Sequence, residues 1–139
     1  MKIFYHRRNT IELLNSTPKS MGVEIDIRTY NKKLVIHHDP FLEGVDFEKW
    51  IKEYNHGTLI LNVKEEGLEE QILKILSKFK IKNFFFLDQS FPFLIKTAKK
   101  GESRCAIRLS EYESIETVLN LKNLVKWVWV DFFSKFPLD

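Results

Sequence analysis

Val23 to Pro40 reads VEIDIRTYNKKLVIHHDP, and the alternation of its polar residues decides how the rest of the chain is arranged. Side chains alternate along a strand, so Glu24, Asp26 and Arg28 share one face while Val23, Ile25 and Ile27 share the other. Water on the polar face explains an isolated Glu-x-Asp pair. Here, however, a second apolar run, Leu34 to Ile36, follows a Tyr-Asn-Lys-Lys turn and returns His37, His38 and Asp39 to the same neighbourhood. Carboxylates and imidazoles gathered in one place point to a metal-assisted acid/base site.

On the N-terminal side, Lys2 to His6 reads as a short strand ending on a histidine. Arg7 and Arg8 follow, then a helical segment from Ile11 to Asn15 with Asn9 or Thr10 as its N-cap, stopped by Pro18 and Gly22. On the C-terminal side, Asp46 caps an amphipathic helix carrying Phe47, Trp50, Ile51 and Tyr54 at i, i+3, i+4, i+7. Thr58 to Lys64 is a strand, and Leu68, Ile72, Ile75, Leu76 and Phe79 mark the next helix. Asn83 to Leu87 is a buried strand ahead of a helix over Phe91 to Lys100, with Gly101 as its stop. Arg104 to Leu109 is a strand, Ser110 and Glu113 match a capping box for a helix through Ile115, Val118, Leu119 and Leu121, and Trp127 to Asp131 is the last strand.

Strand followed by helix, about six times, indicates an α/β protein with a parallel sheet, either doubly wound or closed as a (β/α) barrel. The strands end on polar residues: His6-Arg7, Asp26 to Arg28, Asn62 to Lys64, Asp88, Arg108 with Ser110, and Asp131. Polarity contributed by every strand, rather than by two at a switch point, favours the TIM-type barrel. No glycine-rich loop follows the first strand, which removes the usual dinucleotide and P-loop readings.

The 139 residues suit a single domain over 1–139, and 44% hydrophobic residues are enough for a core. The 22 basic and 19 acidic residues are scattered, with no basic block, which argues against nucleic acid as a partner. Cys105, the single cysteine, lies in an apolar run and reads as a buried spacer in a reducing compartment. No stretch approaches the length of a membrane span and the N-terminus lacks an apolar leader, so the expected location is cytoplasmic.

The motifs in order resemble those of the glycerophosphodiester phosphodiesterases, a family related to the bacterial phosphatidylinositol-specific phospholipases C. Its pattern is a strand ending in His-Arg, an Asn-Thr opening the first helix, a Glu-x-Asp strand, and an apolar run ending in His-Asp. Here these are His6-Arg7, Asn9-Thr10, Glu24-Ile25-Asp26 and Val35-Ile36-His37-His38-Asp39. The resemblance implies a barrel-fold hydrolase that cleaves a small-molecule or lipid-derived phosphodiester. It makes His6 and His38 the acid/base pair, Glu24 and Asp26 ligands of Mg²⁺ or Ca²⁺, and Arg7 a phosphate contact. Hard carboxylate oxygens and a guanidinium suit an anion that gains charge as it is attacked.

The chain also departs from the family. Asn62 stands where the family carries a third acidic metal ligand, which implies a weaker or altered metal site, and Lys64 can supply positive charge to the phosphate. Glu65 has the wrong parity for the inner face, and Glu66 lies beyond the strand. The loop between His6-Arg7 and Asn9 is trimmed to Arg8, and Gln89-Ser90-Phe91 resembles a later family segment only loosely. A complete barrel needs about 200 residues or more, so two strands are expected to be missing, with a partner chain or a further C-terminal region to complete it.

Arg108 is a candidate anion contact, although an inward Arg108–Asp131 pair looks the same in sequence, and Asp88 shares that ambiguity. His37 is expected to face away from the site, His56 to lie solvated in its turn, and Trp127 and Trp129 to pack inside the barrel. Two rival readings stand beside the metal-dependent hydrolase: a vestigial module that binds metal or phosphate without turnover, and a metal-independent phospholipase C-like enzyme.

Overall fold

The β-branched run Val23 to Ile27 lies at the hub of the sheet, with each of these residues buried. The structure is a computed structural model that describes residues 1–137. In chain order the elements are β1 (Phe4–Tyr5), α1 (Ile11–Asn15), β2 (Gly22–Tyr30), β3 (Lys33–Ile36), β4 (Val45–Asp46) and α2 (Phe47–Glu53). They continue with β5 (Leu59–Val63), α3 (Glu69–Lys78), β6 (Phe84–Leu87), α4 (Phe91–Lys99), β7 (Ala106–Leu109), α5 (Ile115–Leu121) and β8 (Trp127–Val130).

Parallel pairing runs from β1 to β2, β5 and β6. A single parallel bridge, Phe86 to Cys105, carries the wall on to β7, which pairs in parallel with β8. These six parallel strands are those of an incomplete TIM-type wall. Among the described residues β8 and β1 do not pair with each other, so no closed barrel forms.

One edge of β2 is shared by two partners. Gly22 N donates to Ile3 O, Glu24 O accepts from Arg8 N, and Asp26 O accepts from His37 N. Beyond that point the antiparallel strand β3 takes over, pairing Ile27 with Ile36 through Tyr30 with Lys33. The β2–β3 hairpin turns on Asn31 (φ 48°) and Lys32 (φ 64°), the two left-handed residues that a tight hairpin requires. Arg8 and His37 thus dock two residues apart on the same edge, which brings Arg7 and His38 together.

Side-chain alternation then separates two apolar layers. The outward residues Val23, Ile25, Leu59, Leu61 and Phe86 pack under the helices with Trp50, Ile72 and Leu94. Inside the curve of the sheet, Ile60, Phe85, Leu87 and Ala106 pack against Phe4, Trp127 and Trp129. Phe85 and Trp127 stack with centroids 4.4 Å apart, as the sequence reading of the two tryptophans expected. On β8 the outward Val128 and Val130 are exposed.

Gly22 permits the close approach of β1. A Cβ there would lie 2.3 Å from Phe4 Cδ1 and 2.9 Å from Thr58 O, so Phe4 would have to leave the inner cluster. Gly22→Ala is expected to cost about 1–3 kcal/mol in urea denaturation, the usual range for overpacking.

Of the two N-cap candidates for α1, Thr10 takes the role, its side chain accepting from Leu13 N at 3.2 Å. Two local expectations are corrected. Ser110 and Glu113 do not cap α5: they bond to each other across a tight turn, and the N-cap is Ser114, which accepts from Glu116 N at 3.1 Å. His56 is not free in solvent, because its Nε2 lies 3.0 Å from Thr17 O and its ring packs near Tyr54.

Candidate active site

The C-terminal ends of β1, β2 and β5, with the end of β3, gather the polar residues into one cluster. Burial of the inner face excludes water from Glu24 and Asp26, whose side chains are 3% and 1% exposed. Two adjacent buried carboxylates need compensation, and the surrounding residues supply part of it. Arg7 N donates to Glu24 Oε2 at 2.7 Å, and His6 Nε2 lies 3.5 Å from the same oxygen. Lys64 Nζ lies 3.2 Å from Asp26 Oδ1.

With Thr10 as the cap of α1, Asn9 is free to reach the site. Its Nδ2 donates to Asp26 Oδ2 at 2.8 Å and its Oδ1 accepts from Asp26 N at 3.0 Å, so one amide holds both the backbone and the carboxylate of Asp26. A polar residue just before an N-cap gives no local hint of that role.

Arg7 adopts φ 52°, a left-handed conformation that is uncommon for a residue with a side chain. The turn directs its backbone N–H to Glu24 and its guanidinium to His38, with Nη2 2.8 Å from His38 Nε2. On the other side of that ring, His38 Nδ1 is 2.8 Å from Asp39 Oδ1. Arg28 Nε donates to His38 O at 2.9 Å and fixes the backbone there. His37 turns away, its Nδ1 accepting from Asp39 N at 2.9 Å.

Asn62 sits beside Asp26 in register on β5. Three side-chain oxygens of the cluster, Glu24 Oε1, Asp26 Oδ1 and Asn62 Oδ1, are buried without a hydrogen-bond partner. Among the described residues no group of three or more His, Cys, Asp or Glu side chains is arranged to hold a metal. The donor set is therefore two carboxylates and one amide oxygen. These are hard oxygen donors of the kind that hold Mg²⁺ or Ca²⁺ with water filling the remaining positions.

Desolvation raises the pKa of Glu24 above 4.5; the Arg7 N–H opposes it, Asp26 adds to it, and His6 and Asn62 oppose it. The folded protein thus binds this proton more tightly than the unfolded chain. Stability falls as pH rises from 4.5 through the raised value, and the penalty persists above it. In chelator-treated buffer Glu24→Gln is expected to melt above the wild type near neutral pH, with the gap closing towards about pH 4. Thermal melts across that range check the sign. Asp39 shifts the other way, its carboxyl held below the ordinary range by its bond to His38.

Direct contacts, and for Asn62 the strand register, therefore bring together His6, Arg7, Glu24, Asp26, Asn62, Lys64 and His38. Arg108 is not among them. It is clamped between Asp88 and Asp131, with Nη1 3.2 Å from Asp131 Oδ2. A phosphate reaching Arg108 would have to displace carboxylates already there. Glu65 accepts from Thr29 N at 2.9 Å and Thr29 Oγ1 at 2.6 Å, and so ties down the end of β2. Cys105 is fully buried and its thiol is pushed up to about 12 by desolvation, which makes it a spacer rather than a nucleophile.

A parallel wall with an acid, imidazole and guanidinium cluster at the C-terminal strand ends is the arrangement of a (β/α)-barrel site. No family model and no curated protein matches the chain. Among solved structures it is similar to a "putative glycerophosphoryl diester phosphodiesterase" from Agrobacterium tumefaciens, with a TM-score of 0.63 and 14% identity over 86% of this chain and 67% of that one. At that identity the likeness is one of fold, and the fold is glycerophosphodiester phosphodiesterase-like. No helix among the described residues is long and apolar enough to cross a membrane.

Proposed function

We propose that this chain is a phosphodiesterase acting on a glycerophosphodiester-type substrate through His6 and His38. The observation that carries the reading is the buried trio of oxygens on Glu24, Asp26 and Asn62 that accept no hydrogen bond, of which Asp26 Oδ1 has the Lys64 ammonium as counter-ion, set beside two imidazoles and a guanidinium. Such a set suits a cation and an anion brought together. Glu24, Asp26 and Asn62 would hold Mg²⁺ or Ca²⁺, which supplies positive charge to the non-bridging oxygens of a phosphodiester.

The chain's own groups account for the rest of the chemistry. Arg7 and Lys64 lie on either side of the acidic pair and offer donors to the phosphate. When a hydroxyl of the glycerol moiety attacks phosphorus, one imidazole takes its proton. As the bond from phosphorus to the leaving oxygen breaks, the other imidazole returns a proton to that oxygen, leaving a cyclic glycerol phosphate. Water then attacks phosphorus and the ring P–O bond breaks, with the two imidazoles exchanging roles, to give glycerol phosphate. Both rings reach solvent, with side chains 68% and 41% exposed, so substrate can approach them from the open side.

A second reading is favoured by one contact. Lys64 Nζ already lies against Asp26 Oδ1, where it acts as a resident cation, as a metal-independent phospholipase C-like enzyme would require. The test is release of glycerol phosphate from a glycerophosphodiester with Mg²⁺, with Ca²⁺ and with chelator. Chelator-sensitive release supports the first reading, and chelator-insensitive release supports the second. Thermal stabilisation by metal without any hydrolysis would reduce the site to a binding module.

A further inference from the structure

We propose that Arg7 is a switch shared between His38 and the phosphate: it caps the His38 ring in the free protein and leaves it when an anion binds. The inference deepens the phosphodiesterase reading and rests on it for the identity of the anion. It starts from donor chemistry. A guanidinium carries only donors, so the 2.8 Å contact from Arg7 Nη2 to His38 Nε2 requires a lone pair on Nε2. The ring proton therefore sits on Nδ1 and is donated to Asp39 Oδ1 at 2.8 Å. His38 is thereby fixed as one neutral tautomer, with its reactive nitrogen covered.

The anchoring of Arg7 separates its backbone from its side chain. Its N–H is held on the buried Glu24 carboxylate at 2.7 Å and its φ of 52° is set by that turn, whereas His38 Nε2 is the one hydrogen-bond partner of the guanidinium among the described residues. A bond from a guanidinium to a phosphate oxygen is charge-assisted on both sides and often bidentate. It outweighs a bond to a neutral ring nitrogen. A phosphate entering between Arg7 and Lys64 draws the fork onto itself, and His38 Nε2 becomes available for proton transfer only then. The site thus holds its proton-transfer group covered until an anion arrives, and Arg7 acts as a positioning residue for His38.

The experiment is nitrogen-detected histidine NMR on the full chain at one pH near neutrality, with the His38 signals assigned through His38→Gln. Inorganic phosphate and sn-glycerol 3-phosphate are the probes, and calorimetry confirms that they bind. The free protein is expected to show the Nδ1–H tautomer, and saturating anion is expected to move the Nε2 signal to the position seen in anion-free Arg7→Met. Arg7→Lys, which keeps a single-point donor, should retain part of the response. An Nε2–H tautomer in the free protein, bound anion with an unmoved Nε2 signal, or no anion binding at all would overturn the switch. Hydrolysis is scored separately: a moved signal in a chain that cleaves nothing keeps the switch and removes the phosphodiesterase reading. Cleavage with an unmoved signal does the reverse.

Discussion

His38→Ala is expected to lower kcat/KM for a glycerophosphodiester by more than about 100-fold, the range that a positioned general acid or base contributes. The melting temperature should move little, because the side chain is 41% exposed and, among the described residues, its ring nitrogens bond Arg7 and Asp39 alone. His6→Ala belongs to the same prediction, with a side chain 68% exposed and a 3.5 Å contact to Glu24. Because the two rings serve successive halves of one proton transfer, the double variant should fall little below the worse single variant. Circular dichroism and thermal melts separate loss of chemistry from loss of fold. If each single variant keeps activity within a few-fold of the wild type, the acid/base assignment is wrong.

The fold was legible where periodicity is strong and burial two-sided. Leu59 to Val63 and Phe84 to Leu87 are mostly apolar runs whose alternate residues face the helices or the inner cluster, and in Val23 to Ile27 the apolar residues Val23, Ile25 and Ile27 all face the helices. A period of two therefore places Glu24 and Asp26 on the inner face without knowledge of the sheet order. The histidine ending the first strand and the one after Leu34 to Ile36 were legible for the same reason. What escaped was settled by residues distant in sequence. Asn9 braces Asp26 from 17 positions away, a contact that no local rule anticipates. Arg108 meets Asp88 and Asp131, so an arginine at a strand end can be satisfied within the fold. His56 sits beside a glycine and looks solvated, yet it packs back on Thr17 O. Ahead of α5 the Ser110-x-x-Glu113 pattern closes a turn instead of capping, and Ser114, with Glu116 two residues on, takes the cap.

Asp26→Asn tests whether the acidic pair supplies charge or only architecture, and it is expected to separate activity from stability. Opposing effects on stability nearly cancel. Asp26 raises the protonation of buried Glu24, so removing its charge relieves that neighbour. Against this, Lys64 loses its 3.2 Å counter-ion, but its side chain is 21% exposed and can turn to water. The amide oxygen can still accept from Asn9 Nδ2. The net change should stay within about 1 kcal/mol, since neither effect strands a fully buried charge. Turnover should fall about 100- to 1000-fold, the loss typical when a preorganised charge at a reacting centre is removed. Asn9→Ala provides the comparison: it keeps both charges but frees the Asp26 carboxylate to rotate, and a loss of about 10-fold or more is expected, as for other residues that orient a ligand. Calorimetric titration with Mg²⁺ and Ca²⁺ completes the test, with weaker binding expected for Asp26→Asn than for Asn9→Ala. Turnover of Asp26→Asn within threefold of wild type would mean that Arg7 and Lys64 alone meet the charge of the phosphate. The carboxylate pair would then be a scaffold for Asn9 and the Arg7 backbone, and the chelator-insensitive reading would be preferred.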